Sequence, residues 1–369
     1  MIPYLLVGVV AAVTTFIATP AVRWFSIKIG AIDHPNDRKV HADPTPTLGG
    51  LALVLGLLAA GLAASRLPEF QEVFRASSVP LGIGVAGIVI FILGVVDDFI
   101  ALPAPVKLAG QTFAAGILFL ANVKFQAVLL PGLYVSLSDD VSVLVTVAWL
   151  VVMMNAVNLV DGLDGLAAGI VAIAAASFFV YAFRLSETVL IPAYAAPLAA
   201  IALVGVTLGF LRYNFHPAKI FMGDSGSMLL GLVLGAATIS GVGNVPPLLS
   251  PSSAEVFLAY APLLIPLAVI AIPILDAMLA IVRRARRRRS VFHADKEHLH
   301  HRLMDLGHGH RQAVIVMYIW SALAAGAGLA FTFLERDEVV FALPIAVGAI
   351  VIYTLFPLLT KVIQDRLSS

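Results

Sequence analysis

Eleven apolar segments, each long enough to cross a bilayer, decide what this chain can fold into. They lie near residues 3–22, 47–65, 79–96, 106–121, 142–159, 165–183, 190–210, 227–243, 254–282, 312–333 and 339–360. A hydrocarbon core of about 30 Å takes roughly 20 apolar residues in a helix. Lipid offers no partner to an open backbone, so such segments are read as helices and not as isolated strands. Composition agrees: 60% of the 369 residues are hydrophobic and 12% charged, with mean hydropathy +0.99, against about a quarter charged in a soluble domain. The first segment has no basic stretch before it and runs on to Arg23 and Lys28, so a spanning helix is expected there, not a cleaved signal peptide. The expected fold is an all-α polytopic membrane protein in one domain over 1–369, with no fixed repeat.

Basic residues predict the orientation. With the N-terminus outside, 18 Lys and Arg fall on the inner side and 5, namely Arg66, Arg75, Lys124, Arg184 and Arg336, on the outer; the positive-inside rule favours this arrangement and leaves the C-terminus inside. All nine histidines then lie in inner loops, as do Asp97, Asp98, Asp161, Asp164 and Asp224. The polar chemistry is expected on one face, in loops near 23–46, 97–107, 160–165, 211–227 and 283–311, while outer connectors such as 66–78 and 122–141 carry ordinary solvated charge. A formal net charge of +1 gives no basis for a nucleic-acid partner. The absence of cysteine removes thiolate catalysis and thiolate metal sites.

Five stretches carry the candidate chemistry. Asp33 to His41, followed by Gly49-Gly50, is either a solvated connector or a basic patch whose glycines allow an anionic ligand to approach. Asp97-Asp98 closes an apolar segment, where each charge costs about 2.5–3.5 kcal/mol on the insertion scale; the pair is expected to answer a cation, with Lys107 nearby to hold a phosphate. Asn155, Asn158 and Asp161 are spaced to share a helix face, and Asp164 follows. Their hard oxygens suit magnesium, with manganese as the alternative, and helix capping coexists with that role. Asn214 to Ser227 includes Phe221, which could stack on a base, and a Gly-Asp-Ser-Gly-Ser run that opens a helix. The run's backbone N–H groups favour an anion while Asp224 reaches a metal.

The long inner loop holds six arginines between Arg283 and Arg289, suited to anionic lipid. It continues as His298-Leu299-His300-His301-Arg302-Leu303. These histidines have the composition of a transition-metal tract, but the oxygen-rich site elsewhere favours contact with a substrate diphosphate.

In this order the stretches resemble the polyprenyl-phosphate N-acetylhexosamine-1-phosphate transferase family, over nearly the whole chain. The Asp-Asp pair, the Asn-x-x-Asn-x-x-Asp-Gly-x-Asp-Gly run, the Phe-Met-Gly-Asp-Ser-Gly-Ser run and the His-x-His-His loop carry the likeness. The resemblance implies a phosphotransferase in the inner membrane, with an active cleft open to the cytoplasm. It implies transfer of a sugar phosphate from a UDP-sugar to undecaprenyl or decaprenyl phosphate, releasing UMP and starting an envelope polysaccharide. Asp224 would be the main magnesium ligand and Asn158 a second. Asp97 or Asp98 would be the base and Lys107 the lipid-phosphate contact. Asn214, Phe221 and Asp164 would meet the uridine part, and His300, His301 and Arg302 the diphosphate or sugar. His301 joins the three aspartates as a catalytic candidate, and Asn155, Asp161 and His298 join the substrate contacts. The loop resembles N-acetylglucosamine-transferring members more than muramoyl-pentapeptide enzymes, so UDP-N-acetylglucosamine is the expected donor. An ion-coupled transporter is the rival class, but its acids would sit near the midplane on broken helices. A homodimer is compatible with the sequence.

Overall fold

The computed structural model describes residues 1–35, 43–188, 195–242, 260–271, 308–333 and 343–354. The main helices are α1 Ile2–Lys28, α2 Gly50–Arg66, the short α3 Gln71–Ala76, α4 Val79–Ile100, α5 Ala104–Leu120, α6 Asp139–Val160, α7 Leu166–Thr188, α8 Ala195–Asn214 and α9 Gly223–Val242. They are followed by α10 Tyr260–Ala271, α11 His310–Phe333 and α12 Leu343–Thr354. Each of the eleven apolar segments corresponds to one of these helices. Among the described residues, by length and composition six helices (α1, α4, α6, α7, α8 and α11) can cross a membrane, and a seventh if α2 is taken with the segment that follows it at 95°. The chain is a polytopic membrane protein.

The position of each helix follows from how much of its circumference is apolar. In α9 every residue from Met228 to Leu230 and from Leu232 to Leu234 is at most 2% exposed. A helix apolar on all sides belongs inside the bundle, and α9 packs against α2, α4, α6 and α8. On α1, by contrast, Leu5, Leu6, Val9, Phe16 and Ile17 remain exposed, as expected of a lipid-facing helix. Its other side meets α8 along a seam of small residues: a Cβ at Gly205 would lie 2.3 Å from the Gly8 carbonyl, and one at Gly209 2.3 Å from that of Ala12. Backbones approach this closely in membranes where dispersion contacts between helices drive association.

Two small sheets interrupt the helices. β1 (Ile32–Asp33) pairs antiparallel with β2 (Thr45–Pro46), Ile32 opposite Pro46, which ties together the two ends of the connector between α1 and α2. In the 122–141 connector, β3 (Ala127–Leu130) and β4 (Leu133–Ser136) form a hairpin, where only a solvated connector is expected. Pro131-Gly132, with Gly132 at φ +76°, sits between the apolar runs 127–130 and 133–135 and is an ordinary turn signal.

Candidate active site

The site lies at the end of the bundle where α1, α4, α6 and α8 finish and α5, α7, α9 and α11 begin. It is organised by the close approach of α4 to the first turn of α9. A Cβ at Gly94 would fall 2.3 Å from Ser225 Cα, so glycine is what lets the two backbones meet. One turn further along α4, Asp98 caps α9: its carboxylate accepts from the backbone N–H of Asp224 at 2.8 Å and of Ser225 at 3.4 Å. An anion at a helix N-terminus satisfies groups that have no partner within the helix.

Capping by Asp98 turns the Asp224 side chain toward three neighbours. Lys107 Nζ donates to Asp224 Oδ2 at 2.6 Å and also pairs with Asp97. Asn158 Nδ2 donates to Asp224 Oδ1 at 2.8 Å and to Ser227 Oγ at 2.9 Å. Asp97, with a side chain 6% exposed, accepts from the Leu102 N–H at 2.7 Å. Two carboxylates thus converge on one point that holds a positive charge.

Asp97, Asp98, Lys107 and Asp224 line a cavity of about 750 Å³. Among the described residues, Asp33, Asp97, Asp98, Asp161, Asp164 and Asp224 line it, against one ammonium, that of Lys107, and two imidazoles, those of His216 and His310. The excess of negative charge is felt within the site. Burial, followed by the carboxylates of Asp224, Asp98 and Asp164, pushes the Asp161 carboxyl up to about 8. The acidic lining formed by the described residues calls for a cation to accompany an anionic substrate. Its donors are hard oxygens, a set that fits magnesium, with Asp224, Asp97, Asp161 and the Asn158 amide in reach of the cavity. Asn158 now turns its nitrogen to Asp224; a flip of the amide presents its oxygen instead.

Asn214 and Phe221 also line the cavity. Phe221 is fixed by its backbone: its N–H donates to the Pro46 carbonyl at 2.8 Å, and its own carbonyl accepts from Gly49 at 2.9 Å. Asp164 Oδ2 accepts from His216 Nδ1 at 2.8 Å and from the Ala218 N–H at 3.0 Å.

Of the residues singled out from sequence, Asp97, Asp98, Lys107, Asp161, Asp164, Asn214, Phe221 and Asp224 come together on this one cavity, and Asn158 stands behind Asp224. Asn155 does not line it: its Nδ2 donates to Gln111 Oε1 at 2.7 Å and to the Val151 carbonyl at 2.8 Å. Two expectations about anions are corrected. Gly49 and Gly50 serve close packing within the protein, since a Cβ at Gly50 would lie 2.6 Å from the Gly226 nitrogen. The N-terminus of α9 is occupied by Asp98, not left open to a ligand. His298, His300, His301 and Arg302, like Arg283 to Arg289, lie outside the described residues. Sequence reasoning missed Gln111 and gave His310 no part in the site; Asp33 and His216 lay in two of the stretches singled out, but neither was given a role of its own.

Comparison with known proteins fits this geometry. Residues 80–242, which hold most of the site, match the model of glycosyl transferase family 4. The chain is 41% identical to the decaprenyl-phosphate N-acetylglucosaminephosphotransferase of Mycolicibacterium smegmatis, over 96% of this chain and 89% of that protein. It is 35% identical to a probable undecaprenyl-phosphate N-acetylglucosaminyl 1-phosphate transferase of Bacillus subtilis, over 86% and 82%. Likeness to the phospho-N-acetylmuramoyl-pentapeptide-transferase of Anoxybacillus flavithermus is 38%, but over 51% of this chain and 58% of that one.

Proposed function

We propose that this chain, which belongs to glycosyl transferase family 4 and within it to the polyprenyl-phosphate N-acetylhexosamine-1-phosphate transferases, moves N-acetylglucosamine 1-phosphate from UDP-N-acetylglucosamine to a polyprenyl phosphate. The products are UMP and the lipid diphosphate sugar that begins an envelope polymer. The observation that carries this reading is the meeting of Asp97, Lys107, Asp161 and Asp224, with Asn158 hydrogen-bonded to Asp224, at one acidic cavity that Asn214 and Phe221 also line. The donor follows from the relatives, since likeness to a decaprenyl-phosphate N-acetylglucosaminephosphotransferase covers 96% of the chain at 41% identity, while likeness to pentapeptide enzymes covers 51% and 65% of it at 38% and 35%.

In this mechanism an oxygen of the lipid phosphate attacks the sugar-bearing phosphorus, and the bond to the UMP phosphate breaks. Phosphoryl transfer asks a protein mainly for positioning and charge stabilisation. Asp224, with Asn158 and Asp161, would hold a magnesium ion, which when bound offsets diphosphate charge. Lys107 holds the attacking phosphate. Asp97 is the better candidate for the base, because it pairs with Lys107, the contact for the attacking phosphate, whereas both oxygens of Asp98 face backbone donors of α9. Little is asked of that base, as a phosphate monoester loses its second proton near pH 6, by analogy with phosphoserine at about 6. Phe221, Asn214 and Asp164 take the uridine half, and the His298–Arg302 stretch the sugar side. A two-step path through an aspartyl phosphate on Asp97 is the alternative.

The test is UMP release from purified protein with polyprenyl phosphate, magnesium and a panel of UDP-sugars. UDP-N-acetylglucosamine is expected to exceed UDP-N-acetylmuramoyl-pentapeptide by at least ~100-fold in kcat/KM, a ratio within reach of a site that hydrogen-bonds its substrate's polar groups. Preference for the pentapeptide donor would overturn the sugar assignment, and absence of UMP with every donor would overturn the reaction.

Eleven spans, with the cavity facing the cytoplasm, complete the proposal, supported by the 18 to 5 division of basic residues. The chain has no native cysteine to remove before labelling. In intact cells an impermeant maleimide is expected to label Asp140→Cys but not Lys219→Cys, which reacts after permeabilisation. The reverse pattern would invert the topology.

A further inference from the structure

Asp164 stands in the turn between α6 and α7, and its Oδ2 has two protein donors, His216 Nδ1 at 2.8 Å and the Ala218 N–H at 3.0 Å. A carboxylate accepts, so the imidazole donates from Nδ1. Two donors on one oxygen fix the plane of the carboxylate and leave Oδ1 as an oriented acceptor at the cavity wall. In the same wall Asn214 is 2% exposed. Its Nδ2 donates to the Ile220 carbonyl at 3.0 Å, while its Oδ1, buried, has no partner among the described residues. A buried acceptor without a donor is costly unless a ligand supplies one. Two acceptors on one cavity call for a ligand rich in N–H and O–H donors, as the imide of a pyrimidine and the hydroxyls of a ribose are.

His216 is itself held from the other side. Its ring stacks on that of His310, the first residue of α11, with centroids 4.1 Å apart, and its carbonyl accepts from Arg311 Nε at 2.8 Å. Tyr318, two turns along α11, donates its hydroxyl to the Gly165 carbonyl. The start of α11 therefore grips both partners of the Asp164–His216 pair, which come from turns 52 residues apart in sequence.

We propose that His216, backed by His310, is a positioning residue that fixes Asp164 for the nucleoside half of the donor nucleotide. The proposal rests on the donor reading above but concerns a residue to which that reading gives no part. The two imidazoles and the carboxylate also have their ligand atoms within 4.8 Å of one another, a spacing that a transition metal could exploit, and the experiment separates the two.

The experiment compares His216→Ala, His216→Asn and His310→Phe with the unaltered enzyme. Asparagine places an N–H donor where Nδ1 stands, and phenylalanine keeps the stacked ring. His216→Ala is expected to raise KM for UDP-N-acetylglucosamine at least ~10-fold, the scale of one hydrogen bond to a charged group. Its kcat and its KM for polyprenyl phosphate should stay within about threefold. His216→Asn should recover most of the loss, and His310→Phe should lose less than His216→Ala. Titration of the purified proteins with UMP should show the same weakening, and this arm holds even if the enzyme uses a different UDP-sugar or fails to turn over. An unchanged nucleotide KM and UMP affinity in His216→Ala would refute the proposal. So would a fall in kcat alone, or one equivalent of zinc in the unaltered protein that is lost in His216→Ala, for then the cluster is a metal site. Should His216→Ala fail to fold, His216→Asn and His310→Phe still decide: equal, strong weakening of UMP binding in both would refute donation by Nδ1 as the operative contact.

Discussion

Asp224→Asn is expected to lower UMP release at least ~1000-fold, the scale seen when a group that stabilises developing charge is removed from a site. The expectation depends on where the carboxylate stands. Its two oxygens face the Lys107 ammonium and the Asn158 amide, and it is the point through which the Asp97 and Asn158 segments communicate. Asparagine keeps the shape and loses the charge, so cation affinity should fall with turnover, and added magnesium should restore little. Folding should survive. Asp224 is among the carboxylates that push Asp161 up, so its removal relieves repulsion even as it costs the contact with Lys107. The thermal midpoint is expected to move by no more than a few degrees. Asp98→Asn behaves differently, since that carboxylate satisfies the first N–H groups of α9; its loss of activity should come with a lower thermal midpoint. Near-normal turnover in Asp224→Asn would remove this residue from the mechanism.

Much of this site is legible in the sequence because charge is expensive where it stands. Asp97 and Asp98 end an apolar run, and Asp161, Asp164 and Asp224 adjoin others; residues placed at such cost in a membrane protein are seldom incidental. Helical spacing also puts Asn158 on a common face with Asp161. What spacing could not divide was labour between adjacent residues. Asp97 faces Lys107 while Asp98 faces the α9 backbone, a difference set by the angle at which α4 crosses α9. Gly49 and Gly50 mislead for a related reason: a glycine that admits a ligand and one that admits another helix look alike until the neighbour is known. Asn155 shares its stripe with Asn158, yet Gln111 of α5 takes its amide, a pairing between residues 44 apart. His216 and His310 are similar, joined across 94 residues only when α11 packs beside α7. The β3–β4 hairpin was readable from Pro131-Gly132 between apolar runs, but it sits in a connector short enough to be passed over.

The crossing of α4 and α9 makes a second large effect testable with one methyl group. In an exposed helix interior, replacing glycine by alanine stabilises by up to about 1 kcal/mol, because glycine has more backbone freedom to lose. On α4 this gain should appear at Gly84, where an added Cβ meets nothing within 4 Å. At Gly94 the sign reverses. There the Cβ would lie 2.3 Å from Ser225 Cα, 2.4 Å from its nitrogen and 2.7 Å from the Asp224 carbonyl carbon. All three are backbone atoms of the first turn of α9, which cannot rotate aside as a side chain can. The helices must part by on the order of 1 Å, and a shift of that size in a catalytic array costs about 100-fold. Asp98 would lose its reach to the Asp224 and Ser225 N–H groups, and Lys107 would no longer span Asp97 and Asp224. Gly94→Ala is therefore expected to cut UMP release at least ~100-fold and to lower the thermal midpoint, while Gly84→Ala leaves turnover unchanged and raises the midpoint slightly. Measured together in one detergent, the two variants separate helix propensity, which they share, from the contact, which belongs to Gly94. Equal behaviour of the two would mean that the approach of α4 to α9 is not what sets the carboxylates in place.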